Sequence, residues 1–155
     1  MADIVDLFKP ELVFFDIEAS SKEEFFQQLG DKLNEQGYIQ DTWYDAILTR
    51  EKNFPTGLQA PEMGVAIPHT DPEHLKKAYM AVVVPKTPIQ FVHMGTEDEM
   101  VGAEFIVNLG VEHQENQVEA LQKLMGMFVN SDAVAELKAQ TTGEGMVEVI
   151  RKYLA

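Results

Sequence analysis

The sequence predicts an α/β fold, a single domain in which helices pack on a mixed β-sheet. Amphipathic helical patterns lie toward both ends of the chain, and short apolar runs rich in β-branched residues lie between them. Such runs are typical of strands buried in a sheet, and helices packed on that sheet would bury them. The chain has 155 residues, 45% of them hydrophobic, which suits one domain with a sizeable core. No repeat or linker divides residues 1–155.

The first strand is predicted at residues 12–15, and the first helix follows it. Either Ser20 or Ser21 can cap this helix, because a glutamate lies three residues after each of them and completes a capping box. Phenylalanines and leucines then recur at helical spacing until Gly37, which is expected to end the helix.

A second helix is predicted to start after Asp41 or Thr42, either of which can act as its cap, and to run to about Lys52. Pro55 and Gly57 follow and indicate a loop.

The middle of the chain is predicted to form strands. Pro85 ends the most apolar of these runs, which points to a buried strand. The predicted strands are residues 65–67, 78–84, 88–92 and 103–109.

The last third of the chain is predicted to be helical. A stripe of apolar side chains runs from Asn116 to Phe128 at helical spacing. Ser131 is expected to cap a short helix that ends near Ala139, and a last helix is predicted at residues 145–153.

The composition excludes several classes of function. The formal net charge is −14, whereas a nucleic-acid binder or a protein on an anionic membrane needs a basic surface. A basic protein partner is compatible with this charge, and so is a simple role in solubility. The chain has no cysteine, which excludes disulfides, thiol redox chemistry and zinc–thiolate sites. No signal peptide or membrane-length apolar run is visible, so we expect a cytoplasmic protein without direct membrane insertion.

His69 is the residue that the sequence most clearly marks for chemistry. It follows a predicted strand in the phrase GVAIPHT, and ligands of open α/β sheets bind where strands end. Pro68 fixes its own φ and restricts Ile67, which would stiffen the backbone that leads into His69, and Thr70 adds a hydroxyl. The alternative is a core histidine bound to a backbone carbonyl. Motifs for phosphate-loop, dinucleotide, serine-hydrolase and zinc-protease sites are missing from the sequence.

A metal site is a second interpretation of this segment. His69, Asp71, Glu73 and His74 supply nitrogen and oxygen ligands within six positions. The two histidines are five residues apart, however, which is not the spacing that places two ligands on one helix face. Acidic residues at this place are also favoured at the start of a helix.

Two phrases together resemble a known family. The phrase GVAIPHT, preceded by ILTREKNFPTGL, is similar to the IIA component of the phosphoenolpyruvate-dependent sugar phosphotransferase system, in its mannitol/fructose class. The similarity covers nearly the whole chain. The phrases HTDPEHLKKA, FVHMG and QVEALQKLM look most like the galactitol-type branch of that class.

The resemblance implies a phosphoryl relay. His69 would accept a phosphoryl group from the histidine-containing phosphocarrier protein and pass it to a cysteine of a IIB component, which phosphorylates sugar entering through the membrane component IIC. Arg50, in the phrase TRE, would stabilise the phosphoryl group. No cofactor is implied. Because this chain has no cysteine, the IIB component must be a separate protein.

The sequence departs from the family at one position. Mannitol and fructose members usually have a second histidine at the start of the late helix, and Gln117 takes that place here. Glutamine donates and accepts hydrogen bonds but carries no charge, so we expect a neutral partner, with His113 one turn earlier as the alternative. Thr56 and Thr70 are further hydroxyl candidates for the phosphoryl oxygens, although Thr56 could equally be a turn residue.

Two further expectations concern partners. A relay protein needs an apolar rim for transient docking, and the candidates are Phe54, Leu58, Met63 and Met94. Similar IIA-like modules also look to serve as phosphorylation-sensed regulatory domains, which is the alternative function. Galactitol is the sugar that the branch suggests.

Overall fold

The computed structural model describes residues 4–154, apart from the side chain of Gln114. The strands in this range are β1 (Phe8–Phe14), β2 (Gly57–Gln59), β3 (Gly64–Ala66), β4 (Tyr79–Val83), β5 (Ile89–Val92), β6 (Met100–Ala103) and β7 (Phe105–Gly110). The α-helices are α1 (Lys22–Glu35), α2 (Trp43–Asn53), α3 (Gln114–Phe128), α4 (Ser131–Lys138) and α5 (Gly143–Leu154). Short 3-10 turns lie at Ile4–Leu7 and Pro72–His74. None of the helices within the described range is long and apolar enough to cross a membrane.

Five strands form a mixed sheet in the order β1-β4-β7-β3-β2. The pairs β1–β4 and β3–β7 are parallel, whereas β4–β7 and β2–β3 are antiparallel. The predicted α/β class with a mixed sheet is therefore confirmed. Because β3 and β7 run parallel, the chain leaves both strands at neighbouring points, and His69 forms a bridge with Leu109 just beyond the end of β3.

A separate antiparallel ribbon of β5 and β6 packs against β2 and β3. Glycines allow this close approach. A Cβ atom at Gly57 would lie 2.6 Å from the carbonyl oxygen of Val92, and one at Gly64 would collide with the carbonyl oxygen of Gly102. Real side chains do not tolerate such contacts, so a larger residue at either position would push the ribbon away from the sheet.

The strand predictions need three corrections. β1 begins at Phe8 rather than at residue 12, with an irregular register that accommodates Pro10 on an edge strand. The segment after α2 was expected to be a loop but forms β2, since Gly57 pairs with Ala66. The run predicted as one strand at 103–109 belongs to two different sheets, and Glu104 separates β6 from β7.

The helix ends follow local capping chemistry. The Ser21 side chain accepts a hydrogen bond from the Glu24 amide, so Ser21 rather than Ser20 is the cap of α1. Gly37 follows this helix with a φ of 81°, a conformation that favours glycine. The cap of α4 is Asn130 and not Ser131, because the Asn130 side chain accepts from two amides of the first turn. α3 and α5 each begin two residues before the predicted start.

Two clusters of buried side chains cover the two faces of the sheet. We call them the α1/α2 face and the α3–α5 face, after the helices that pack there. The α1/α2 face is rich in aromatic rings, with Phe25 and Phe26 of α1 against Trp43 of α2 and Phe91 of β5. The α3–α5 face is built from aliphatic side chains, methionines and a few phenylalanines. Since strand residues alternate between these clusters, both faces of the central strands β4 and β7 are buried, which explains why their sequences are apolar apart from Asn108.

Candidate functional site

His69 lies at the edge of the sheet where β3 ends, and only 8% of the residue is exposed. Its Nδ1 atom is 3.0 Å from the carbonyl oxygen of Ile67. A carbonyl only accepts hydrogen bonds, so Nδ1 must carry the proton and donate it. In the neutral ring this leaves the lone pair on Nε2. The predicted alternative, a core histidine bound to a backbone carbonyl, is therefore correct for Nδ1. Nε2 does not take part in that bond and can act as a nucleophile.

The surroundings keep this imidazole neutral. Burial is the main cause that lowers the pKa of His69 below its ordinary value, and the positive charge of Arg50 adds to it. The hydrogen bond to Ile67 and the charge of Asp71 act in the opposite direction but are outweighed. A histidine must be neutral at Nε2 to act as a nucleophile, so this environment favours nucleophilic chemistry at neutral pH.

Arg50 approaches the histidine segment from the last turn of α2. Its Nη1 forms an ion pair of 3.1 Å with Asp71 Oδ1, two residues after His69, and both side chains are partly exposed. The guanidinium also lies over the ring of Phe54 at 5.6 Å. Its Nε atom is buried and has no hydrogen-bond partner among the described residues. Arg50 thus has donors beyond the one that Asp71 occupies.

α3 brings Gln117 to the opposite side of the same segment. The Gln117 Nε2 atom lies 3.5 Å from the carbonyl oxygen of Thr70, at the outer limit of a hydrogen bond. The Thr70 residue is 1% exposed and its hydroxyl donates to the carbonyl of Asp71. His113 is the exposed cap residue of α3 and makes no side-chain capping bond. The structure thus places Arg50 and Gln117 on either side of the His69 segment.

Thr56 has a different partner. Its hydroxyl donates to Oε1 of Glu51 at 2.7 Å, and its amide donates to Oε2 at 2.8 Å. Glu51 is 2% exposed, and this burial raises the pKa of its carboxyl group to about 7, although both bonds from Thr56 oppose the rise. The pair ties the end of α2 to the start of β2. A role of Thr56 toward a phosphoryl group would require its hydroxyl to leave Glu51, and that role stays a prediction.

A chain of buried hydrogen bonds lies behind the histidine. Trp43 Nε1 donates to the Tyr79 hydroxyl at 3.2 Å, and Tyr79 donates to Asn108 Oδ1 at 2.5 Å. Asn108 Nδ2 then donates to the carbonyl oxygen of Pro68 at 2.9 Å. This chain joins α2, β4 and β7 to the residue that precedes His69.

The described residues do not form the metal site that the sequence suggested as an alternative. Within the described residues, no three histidine, aspartate or glutamate side chains lie close enough to hold a metal ion. His69 and His74 have separate partners instead, because His74 Nδ1 is 2.8 Å from the Thr42 hydroxyl. Thr42, the residue before α2, makes no side-chain capping bond to that helix.

Sequence reasoning missed Glu51 and Asn108. The sequence gives a signal for each of them. Glu51 directly follows the candidate site residue Arg50, and Asn108 is a polar residue in an otherwise apolar strand. A polar residue that is fully buried in a strand needs hydrogen-bond partners, and those partners here are distant in sequence. The sequence pattern therefore identifies Asn108 as unusual but does not identify its hydrogen-bond partners.

A cleft of about 480 Å³ lies beside Arg50, between α2 and the turn after His69. Phe54 lines it and is 65% exposed, as expected for a docking residue. Met63 is 2% exposed and belongs to the α3–α5 face, so its assignment to an exposed rim was wrong. Leu58 and Met94 are half-buried, and Leu58 packs against the same core cluster.

The site thus combines the buried His69 with Arg50 and Gln117, which contact Asp71 and Thr70 in the segment that follows the histidine. The family described as "Phosphoenolpyruvate-dependent sugar phosphotransferase system, EIIA 2" matches residues 6–153 of the chain. The protein belongs to this family and is a IIA component of the mannitol/fructose class, with galactitol-specific components among its relatives.

Three known proteins illustrate the relationship. The galactitol-specific EIIA component of Escherichia coli K12 is 28% identical over 116 residues, which are 75% of this chain and 77% of that protein. A probable licABCH operon regulator of Bacillus subtilis is 33% identical over 126 residues, which are 81% of this chain but 18% of the regulator. The structure of E. coli enzyme IIA for mannitol, in complex with phosphorylated IIB, superposes with a TM-score of 0.70 at 20% identity, covering 92% of this chain and 95% of that one.

Proposed function

We propose that His69 is the phosphoryl carrier of a sugar phosphotransferase system. It accepts a phosphoryl group from the histidine-containing phosphocarrier protein and passes it to a cysteine of a separate IIB component. The observation that carries this proposal is the bond from His69 Nδ1 to the Ile67 carbonyl, which leaves Nε2 as the unprotonated nitrogen. The family match supports the phosphotransferase class.

The transfer consists of two displacements at phosphorus. In the first, the Nε2 lone pair of His69 attacks, and the P–N bond to the donor histidine breaks with its electron pair returning to that donor. The proton stays on Nδ1, which continues to donate it to the Ile67 carbonyl, and the positive charge that the ring gains is offset by the phosphoryl oxygens. In the second, the IIB thiolate attacks phosphorus and the lone pair returns to Nε2.

Arg50 stabilises the phosphoryl oxygens in this proposal. Charge in the transition state is spread over three equatorial oxygens, and a guanidinium offers several donors in one plane. Asp71 holds Arg50 through one nitrogen only, which leaves further donors of the guanidinium for the phosphoryl oxygens. Gln117 and the Thr70 segment close the opposite side as neutral hydrogen-bonding groups.

The proposed partners follow from the relatives. The mannitol IIA structure was solved as a complex with phosphorylated IIB, and we assign a IIB component to this chain on that likeness. The galactitol-specific relative makes galactitol the proposed sugar, entering through a membrane component IIC that this chain serves indirectly. All of this chemistry belongs to the cytoplasm. Phe54 and the adjoining cleft are the proposed docking rim.

Intact-mass spectrometry of a reconstituted relay tests the proposal. The protein is incubated with phosphoenolpyruvate, enzyme I and the histidine phosphocarrier protein, with His69→Gln and His74→Gln in parallel. We expect one phosphoryl group on the wild type and on His74→Gln, labile in acid and stable in alkali, and none on His69→Gln. An unlabelled wild type, with a functioning phosphocarrier present, contradicts the proposal.

A regulatory domain is the second candidate, and the similarity to the licABCH operon regulator favours it. Both candidates accept a phosphoryl group, but only the transport role passes it to a IIB cysteine. Adding a IIB component of the galactitol type to the phosphorylated form separates them. Rapid loss of the group from His69 with gain on IIB supports transport, and a retained group supports regulation.

A further inference from the structure

Asn108 is buried in the middle of the sheet, and its amide is oriented by its neighbours. It is 0% exposed, on the α1/α2 face of β7. The indole of Trp43 can only donate and the carbonyl of Pro68 can only accept, so the chain of bonds between them has a single direction. Trp43 donates to Tyr79, Tyr79 donates to the Asn108 oxygen, and the Asn108 nitrogen donates to Pro68.

The last acceptor of this chain is next to the nucleophile. The Pro68 carbonyl accepts a second bond, 3.1 Å long, from the Leu109 amide. The peptide bond is planar, so fixing this carbonyl also fixes the amide and the Cα atom of His69. On the other side of Pro68, the Ile67 carbonyl accepts from the imidazole itself. The carbonyls of Ile67 and Pro68 together therefore determine where the ring of His69 lies.

The donor end of the chain is held rigidly. The Tyr79 ring lies over Gly110, where any Cβ atom would collide with it, and packs against the Tyr38 ring at 5.5 Å between centroids. Burial raises the pKa of Tyr79, so its hydroxyl keeps the proton that it donates to Asn108. Trp43, the first residue of α2, is 1% exposed. The same helix carries Arg50, so the chain joins the helix of Arg50 to the residue that precedes His69.

We propose that Asn108, supported by Tyr79, is a positioning residue for phosphoryl transfer at His69. It holds the Pro68–His69 peptide so that Nδ1 meets the Ile67 carbonyl and Nε2 faces the incoming phosphorus. This inference rests on the proposed function of His69. It differs from a purely structural role, in which a satisfied buried amide would contribute to stability without affecting the state of the imidazole.

Two variants remove the contact in different ways. Asn108→Leu replaces the amide by an apolar group of similar volume, and Tyr79→Phe removes the hydroxyl that orients the amide. Val134→Ala is the matched control, because it removes buried atoms from α4 on the α3–α5 face, away from the chain of bonds. The rate of phosphoryl transfer from the phosphocarrier protein and the ¹⁵N spectrum of the His69 ring are measured for each folded variant.

We expect Asn108→Leu to slow transfer by about tenfold and Tyr79→Phe by about threefold, since small misplacements of a reacting group are costly. Both variants should also populate the tautomer with the proton on Nε2. Val134→Ala should keep the wild-type rate and spectrum. If Asn108→Leu does not fold, Tyr79→Phe decides the question alone.

The outcomes separate the two proposals. A wild type that is phosphorylated, with variants that match it in rate and ring spectrum, overturns the positioning role and leaves the proposed function intact. A slower rate with an unchanged ring spectrum assigns the loss to docking or stability and also overturns it. A wild type that accepts no phosphoryl group overturns the proposed function, and the positioning role falls with it.

Discussion

The two faces of the central sheet are packed in different ways. The α3–α5 face is an apolar cluster that includes Ile150 and Leu124. The α1/α2 face combines aromatic rings with the hydrogen-bond chain from Trp43 to Pro68. Among the described residues, the buried polar or charged side chains are Glu51, Thr56, His69, Thr70 and Asn108, and none of them belongs to α3, α4 or α5.

This difference shows where the fold buries polar groups in place of apolar side chains. A buried polar group is costly unless all its bonds are made, and an apolar group at the same place often serves stability as well. The polar groups occur where α2, β3 and β7 meet, beside His69. The α3–α5 face should therefore determine stability, and the polar groups near α2 should determine transfer.

The largest expected effect on the polar side is at Arg50. Arg50→Ala removes the charge that we propose stabilises the transferring group, and we expect the transfer rate to fall by about 10³-fold, within the range known for arginines in phosphoryl transfer. Arg50→Lys keeps the charge but loses the fork of donors, so it should restore only part of the rate. Quenched-flow measurement of phosphoryl transfer from the labelled phosphocarrier protein gives the rates of both variants.

Lys52→Ala is the control for this pair, because Lys52 is an exposed cation on the same turn of α2. Its rate should stay within about twofold of the wild type, since an exposed charge contributes little. An Arg50→Ala variant that transfers at the Lys52→Ala rate would remove Arg50 from the mechanism.

The next effect belongs to the apolar side. Ile150 on α5 is 0% exposed, and Ile150→Ala should lower the free energy of unfolding by about 3 kcal/mol through lost burial and a new cavity. The transfer rate of the folded protein at 25 °C should not change. Urea unfolding and the relay assay, performed on the same preparation, check both statements. A strong loss of transfer rate in the folded variant would contradict the separate roles of the two faces.

The sequence predicted the apolar side better than the polar side. The α/β class, the helices and the buried strands follow from periodic apolar patterns, and the phrases around Arg50 and His69 indicated the family. The bonds from Asn108 to Pro68 and from Thr56 to Glu51 were not predictable, because each depends on tertiary contacts or on one buried rotamer. β2 and β6 were missed for a similar reason, since short strands next to glycines acquire their pairing from the assembled sheet.

A third prediction concerns Glu51 and pH. Burial raises the pKa of Glu51 from 4.5 to about 7, so the folded state binds this proton more tightly than the unfolded state. The stability owed to this group is therefore full below pH 4.5 and is lost as the pH rises to about 7. At about 1.4 kcal/mol per pKa unit, the loss amounts to about 3 kcal/mol.

Glu51→Gln removes this titration and isolates it. The lowered pKa of His69 gives the opposite dependence, with stability lost as the pH falls below 6.5, but it is common to both proteins and cancels in their difference. Urea unfolding at pH 5, 6, 7 and 8 should show the wild type losing stability relative to Glu51→Gln as the pH rises. A difference that stays constant over this range would rule out a buried, titrating Glu51.

The smallest expected effect is at the docking rim. Phe54→Ser should raise the KM for the phosphocarrier protein about fivefold with a smaller change in kcat, because the side chain is 65% exposed and lines the proposed docking cleft. Val129→Ser is a matched control with 63% exposure at the far end of α3. Equal KM values for the two variants would remove Phe54 from the interface.

The central claim is that Nε2 of His69 carries the phosphoryl group while Nδ1 keeps its proton and donates it to the Ile67 carbonyl. Its most direct test is NMR of the phosphorylated protein with ¹⁵N-labelled histidine, in which coupling between ³¹P and ¹⁵N identifies the bonded nitrogen. We predict coupling to Nε2 of His69 and a protonated Nδ1. Coupling to Nδ1, or to another histidine, would contradict the account.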